Sequence, residues 1–182
     1  MIRLILARHG NTFEEGQTPV QIGKIDLPLT ERGRQQAAAI QLPPVNAIYS
    51  GSLKRQREFA EIVARGFPVQ EELALNEIDY GPWEGLTAEE IAKGWPIEVA
   101  AWNQSAIWPE GRYRSNLNRW LDYLRDTFRP GSLIFAVTSG GILRLIYPQK
   151  VSTGHLCELE LFPHHFSIKS WNTNPQVATL RT

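Results

Sequence analysis

Three short apolar runs, each breaking into a turn of small residues, constrain this chain more than any other feature. Residues 2–7 run into Arg8-His9-Gly10, residues 45–49 into Ser50-Gly51-Ser52, and residues 133–137 into Thr138-Ser139-Gly140-Gly141. A run without polar alternation is buried on both faces, which is the signature of a parallel strand covered by helices. In open sheets of this kind, ligands bind at the carboxyl ends of the strands. Glycines in such turns let backbone amides approach an anion closely. Three loaded turns at three strand ends therefore predict one shared pocket.

The segments between the runs read as helices. Thr30 is a candidate N-cap for a helix packed through Ala37, Ala38, Ala39, Ile40 and Leu42 and stopped by Pro43-Pro44. Phe59, Ile62 and Val63 mark a second helix over 53–64. Residues 69–75 read as a short edge strand, and 76–86 as irregular, being rich in turn residues. Thr87 and Glu90 form a capping-box pattern for a helix over 87–93. Further helical patterns cover 96–104, 112–128 and 142–147, and residues 156–162 and 166–171 alternate as a hairpin would. Strands alternating with helices predict an α/β fold in three α/β/α layers around a largely parallel sheet.

At 182 residues, the whole of 1–182 reads as a single domain. Nineteen basic residues against nineteen acidic ones give zero net charge, so no broad positive field exists to hold nucleic acid or an anionic membrane. An anionic ligand must then be held by a few local arginines. Cys157 is the one cysteine, which fits a reducing compartment. The first apolar run is too short for a signal peptide, and no stretch approaches the roughly 20 apolar residues of a membrane span. The sequence-based expectation is a cytoplasmic protein without a membrane partner.

The loaded turns resemble the histidine phosphatase superfamily, also called the phosphoglycerate mutase-like family. Arg8-His9-Gly10-Asn11-Thr12 resembles its arginine-histidine-glycine signature. Asp26-Leu27-Pro28-Leu29-Thr30, followed by Gly33, Gln36 and Ala37, resembles its loop-to-helix segment. Residues 49–55, from Tyr49 to Arg55, resemble the strand and helix that bring in a second arginine, and residues 75–85 resemble the stretch that carries an acidic residue, here Glu77. The order and spacing agree throughout. The resemblance implies a phosphoglycerate mutase-like fold, with residues around 85–115, including Trp95, Trp102 and Trp108, forming a cap over the site. It implies His9 as a nucleophile that becomes phosphorylated and Glu77 as the acid. Arg8, Arg55, Asn11, Ser139 and Gly140 would hold the phosphate.

Physical chemistry suits those roles. Phosphoryl transfer needs positioning and cationic clamping of three equatorial oxygens, and two arginines offer planar, bidentate donors. A neutral imidazole can attack phosphorus, and a carboxylic acid can protonate the leaving oxygen and then, ionised, activate water. No metal or other cofactor is implied, because four scattered histidines and one cysteine give no ligand spacing.

Three positions depart from the family's pattern. Ser139 stands where a second histidine is usual, Glu15 where an asparagine is common, and Ile22 where a glutamine commonly precedes the glycine. Losing one preorganised donor of that kind costs about 10²–10³ in turnover. His155 is a candidate auxiliary imidazole, since it follows the last helix close to where the family's phosphate pocket lies. Glu84 reads as a structural loop carboxylate. The expected function is metal-independent hydrolysis of a small phosphorylated metabolite through phospho-His9. Two alternatives stay open: a catalytically weakened phosphate-binding or regulatory protein, and a phosphoglycerate mutase-type phosphotransferase. Substrate identity and oligomeric state are not legible.

Overall fold

The structure is a computed structural model and describes residues 1–105 and 112–175; Trp108 lies outside them. Four strands run parallel: β1 (Ile2–Arg8), β2 (Ala47–Ser50), β3 (Val69–Glu71) and β4 (Leu133–Thr138). The antiparallel pair β5 (Leu156–Leu161) and β6 (Phe166–Thr173) completes a six-stranded sheet in the order β3-β2-β4-β1-β5-β6. Helices α1 (Glu31–Ala38) and α2 (Lys54–Ala64) follow β1 and β2. Between β3 and β4 come α3 (Ala88–Gly94), α4 (Pro96–Ser105) and α5 (Arg112–Thr127), and α6 (Gly140–Ile146) follows β4.

The unbroken apolar character of β1 has the predicted cause. Leu4 and Leu6 join a core with α5 residues Leu117, Trp120, Leu121 and Leu124, whereas Ile5 and Ala7 join a second core with Phe59, Ala60 and Val63 of α2. Successive residues of one strand thus feed two cores on opposite faces, each fully buried large side chain contributing about 1.5–3 kcal/mol. This is the three-layered α/β architecture the sequence predicts. Among the described residues no helix is long and apolar enough to cross a membrane.

Both predicted caps are present. Thr30 accepts from Gly33 N–H, and Thr87 and Glu90 form a reciprocal capping box. Three boundaries differ. Helix α1 ends at Ala38, ahead of Pro43-Pro44, and Arg65 reaches back from the end of α2 to donate to the carbonyls of Ala38 and Ile40. Only residues 69–71 of the predicted edge strand pair with β2; Leu73–Leu75 tighten into a 3₁₀ turn capped by the Glu72 carboxylate. Helix α6 begins at Gly140, directly on the turn.

Candidate active site

The three loaded turns meet because their strands are neighbours in register. Arg8 pairs with Thr138, and the His9 N–H donates to the Thr138 carbonyl (3.0 Å); the Gly51 N–H reaches the Val137 carbonyl (3.3 Å). Close glycine contacts lock the first turn onto α1. A Cβ on Gly10 would lie 2.5 Å from the Gly33 carbonyl oxygen, so the two backbones pack without side chains between them.

His9 is 4% exposed, and its Nδ1 lies 2.8 Å from its neighbour Gly10's carbonyl oxygen. A carbonyl only accepts, so Nδ1 carries the proton and Nε2 keeps its lone pair. Burial pushes the His9 pKa well below the ordinary 6.5, and the charges of Arg55 and Arg8 push it further. The ring is therefore a neutral base at physiological pH.

Each arginine is held by backbone carbonyls. Arg8 donates from Nη1 to Val151 (2.6 Å) and lies flat against Gly140, where a Cβ would come within 3.3 Å of the guanidinium. Arg55 is 0% exposed, with Nη1 on the Ile25 carbonyl (2.9 Å) and Nη2 on the Gly23 carbonyl (3.0 Å). The Nε–H of each arginine is buried with no hydrogen-bond partner. Such groups are costly to leave unsatisfied. Both arginines lower the His9 pKa by their charge, and Arg8 lines the cavity beside it whereas Arg55 does not.

The loop that receives Arg55 is itself fastened. The Glu84 carboxylate accepts from the N–H groups of Gly23, Lys24, Ile25 and Tyr80. Glu84 is thus the structural loop carboxylate that the sequence predicts. One loop presents its amides to Glu84 and its carbonyls to Arg55.

Glu77 sits behind the 3₁₀ turn at 73–75. Its carboxylate accepts from the N–H of Ile78 (2.9 Å), the N–H of Gly141 (3.1 and 3.2 Å) and the Tyr80 hydroxyl. Burial raises its pKa above the ordinary 4.5 in spite of those bonds and the two arginines. A raised carboxyl pKa beside a depressed imidazole pKa is the pattern of an acid matched with a nucleophile.

Arg8, His9, Asn11 and Glu77 line one cavity of about 900 Å³, with the exposed Glu15 at its edge. Asn11 commits its side-chain oxygen to the Phe13 N–H and the Thr30 hydroxyl, so it shapes the turn as much as it faces the cavity. Ser139 is not brought to that cavity's wall. It is 0% exposed, and its hydroxyl oxygen accepts from Gln56 Nε2 at 2.8 Å. His155, the candidate auxiliary imidazole, does not line that cavity but one that adjoins it, the two sharing Arg32 and Thr153. Its backbone carbonyl accepts from the Arg8 N–H, while its ring bonds the Asn172 carbonyl and faces a separate cavity with Gln36 and Gly154. Cys157 is buried, as its alternating strand predicts, and burial raises its thiol pKa to about 12.

Sequence reasoning passed over three further residues that contact or neighbour these groups. Gln56 bonds Ser139 and the Leu75 carbonyl; Tyr80 bonds Glu77; Arg144 packs its guanidinium 4.5 Å over the Trp102 ring. Arg144 carried a signal, being a lone charge within the apolar stretch Ile142-Leu143-Arg144-Leu145-Ile146.

Comparison with known proteins agrees with this geometry. Residues 4–174 match the family model described as histidine phosphatase superfamily (branch 1). A phosphoserine phosphatase 1 of Hydrogenobacter thermophilus is 35% identical over 112 residues, covering 56% of this chain and 51% of that protein. The chain thus matches about half the length of that relative. A metal-independent phosphoserine phosphatase of Arabidopsis thaliana is 30% identical over 187 residues, covering 92% of this chain and 78% of that protein. Among solved structures, a mycobacterial glucosyl-3-phosphoglycerate phosphatase with VO3 superposes with a TM-score of 0.82 at 24% identity, covering 95% of this chain and all of that one.

Proposed function

The chain belongs to the histidine phosphatase superfamily, and from that premise we propose that it hydrolyses a small phosphomonoester through a phosphohistidine on His9, with no metal. The observation that carries this reading is the His9–Gly10 contact, which leaves the Nε2 lone pair free on a ring kept neutral by burial and two arginines. In the first step Nε2 attacks phosphorus, the ester P–O bond breaks, and Glu77 gives its proton to the leaving oxygen. In the second step the Glu77 carboxylate takes a proton from water, whose oxygen attacks phosphorus. The P–N bond then breaks, inorganic phosphate leaves, and His9 and protonated Glu77 are restored. Arg8 and Arg55 supply the fixed positive charge that the phosphoryl oxygens need, which makes a metal dispensable. Relatives named as phosphoserine and glucosyl-3-phosphoglycerate phosphatases support this class of reaction.

Ser139 favours a second reading, a slow enzyme or a phosphate-binding protein. Its hydroxyl is turned to Gln56 in the interior, so the donor that the family's second histidine supplies has no counterpart there. One experiment separates the two. An aryl phosphate is offered to wild type and His9→Ala in the presence of a chelator. Turnover by wild type and background by the variant support phospho-His9 catalysis. No turnover by either, with phosphate still raising the wild-type Tm, supports the binding reading.

A further inference from the structure

A cavity of about 310 Å³ lies between α1 and the turn at 152–155, and the proposed hydrolysis makes no use of it. It adjoins the cavity at His9, since Arg32 and Thr153 line both. Its wall is firmly built. His155 Nδ1 lies 3.1 Å from the Asn172 carbonyl oxygen, so Nδ1 carries the proton and Nε2 is the ring nitrogen left for a ligand. Asn172 offers that carbonyl from a left-handed backbone conformation (φ 55°), and its side-chain oxygen accepts from the Ser152 N–H at 2.8 Å. Residues other than glycine are held in that region by their surroundings and gather at functional sites.

The Gln36 amide is committed at both ends, its oxygen to the Asn11 N–H (2.8 Å) and its Nε2 to the Thr153 carbonyl (3.0 Å). The Gly154 N–H donates to the carbonyls of Arg8 (3.0 Å) and His9 (3.1 Å), and the His155 carbonyl accepts from the Arg8 N–H (3.0 Å). The wall is therefore fixed to the backbone of residues 8–11. A ligand that enters has little structure to order, which favours binding.

The charge of this wall has one sign. Arg32 and His155 are the ionisable side chains among the described residues that line it, and no carboxylate does. The Arg32 guanidinium makes no hydrogen bond or ion pair among the described residues, whereas Arg34 is bound to Glu58 and Glu31. An ionised carboxylate would satisfy Arg32, but it only accepts and gives the neutral His155 ring no proton. A phosphate group near neutral pH passes between two ionisation states. Its oxygens accept from the guanidinium, and its hydroxyl donates to Nε2. When the ring takes that proton, the same pair bonds in the opposite sense.

We infer that this cavity is a second phosphate site, in which Arg32 and His155 hold a phosphoryl group apart from the one proposed at His9. The ligand has two sources: the inorganic phosphate that the proposed hydrolysis releases beside Arg32, or a phosphorylated metabolite.

Nitrogen-15 spectra of the imidazoles test this, because they report the two sites separately and need no turnover. Inorganic phosphate should move the His155 Nε2 signal along a saturable isotherm with its own midpoint. Arg32→Gln should raise that midpoint about tenfold or more, the scale of a charge-assisted hydrogen bond. Gln35→Glu places a negative charge in this cavity and not in the larger one, so it should raise the His155 midpoint about tenfold and leave that of His9 in place. Butylphosphonate moving His155 as phosphate does points to a phosphorylated metabolite; a response to inorganic phosphate alone points to the free ion. Both outcomes support the site. A His155 signal that stays still while that of His9 saturates overturns it. So does a His155 response that shares the His9 midpoint and survives Gln35→Glu, which is the first site felt through Gly154. A His155 response with none at His9 supports this site and counts against the proposed one.

Discussion

Both carboxylate oxygens of Glu77 face the backbone N–H of Gly141, at 3.1 and 3.2 Å. The contact ties the proposed acid to the first turn of α6, and it exists because position 141 has no side chain. A Cβ there would lie 2.3 Å from Glu77 Oε1 and 2.4 Å from the Tyr80 hydroxyl.

Gly141→Ala should therefore displace Glu77 while sparing the arginines. We expect kcat on an unactivated alkyl phosphate to fall by about 10²-fold, the scale of lost general-acid help. A stability loss of about 1–3 kcal/mol should accompany it, as for other overpacked sites. Unchanged kcat and Tm would show that the Glu77–Gly141 contact positions nothing.

The pKa of Glu77 is raised by burial, so folding favours its neutral form. That contribution is present below the unfolded carboxyl pKa and is lost as pH rises through the folded one. Glu77→Gln should gain in Tm relative to wild type as pH rises above 4.5, while losing turnover. A Tm difference that does not vary with pH would contradict the raised pKa.

His9 has the opposite linkage. Its depressed pKa means that stability is complete above 6.5 and is lost as pH falls towards the folded pKa. Nitrogen-15 NMR should show the ring neutral, with the proton on Nδ1, at pH 6.5. An imidazolium signal there would remove the proposed nucleophile.

Arg55 supports the loop at 22–25, and its charge helps to lower the His9 pKa. Arg55→Lys gives up a planar fork that reaches three carbonyls, so it should cost about 2 kcal/mol or more of stability and weaken phosphate binding together. Denaturation and phosphate titration of one preparation check both. Loss of binding at full stability would mean that the loop is held by Glu84 alone.

Ser139→Ala should cost about 1–2 kcal/mol, because the Gln56 amide loses a buried acceptor. Ser139→His should raise kcat by about tenfold or more if the missing donor limits turnover. A flat response in a stably folded variant would place Ser139 and Gln56 within a different arrangement for handling phosphate.

The strands, the two helix caps and the buried Cys157 were legible because each depends on a few neighbouring residues. That Arg8, His9 and Glu77 share one cavity follows from the loaded turns and their order, whereas Arg55 does not line it. The layout around them was not legible. Nothing local in Ile22-Gly23-Lys24-Ile25 announces that its amides will face Glu84 and its carbonyls Arg55, since those partners lie 59–61 and 30–33 residues away. The ring contact of His155 with the Asn172 carbonyl was equally hidden, since that partner lies 17 residues away on β6. The end of α1 was misplaced by the proline signal, and the Arg65 donor that meets its last carbonyls lies 25–27 residues away.

The chemistry rests on strand ends whose geometry the sheet dictates, whereas Trp102 comes from α4, in the stretch between β3 and β4. That division makes the protein modular in an evolutionary sense. Because Trp102 lines a cavity that shares Arg8 and Glu77 with the larger one, lengthening, trimming or recolouring that stretch should re-address the proposed reaction to another alcohol and leave the phosphoryl clamp on its own foundation.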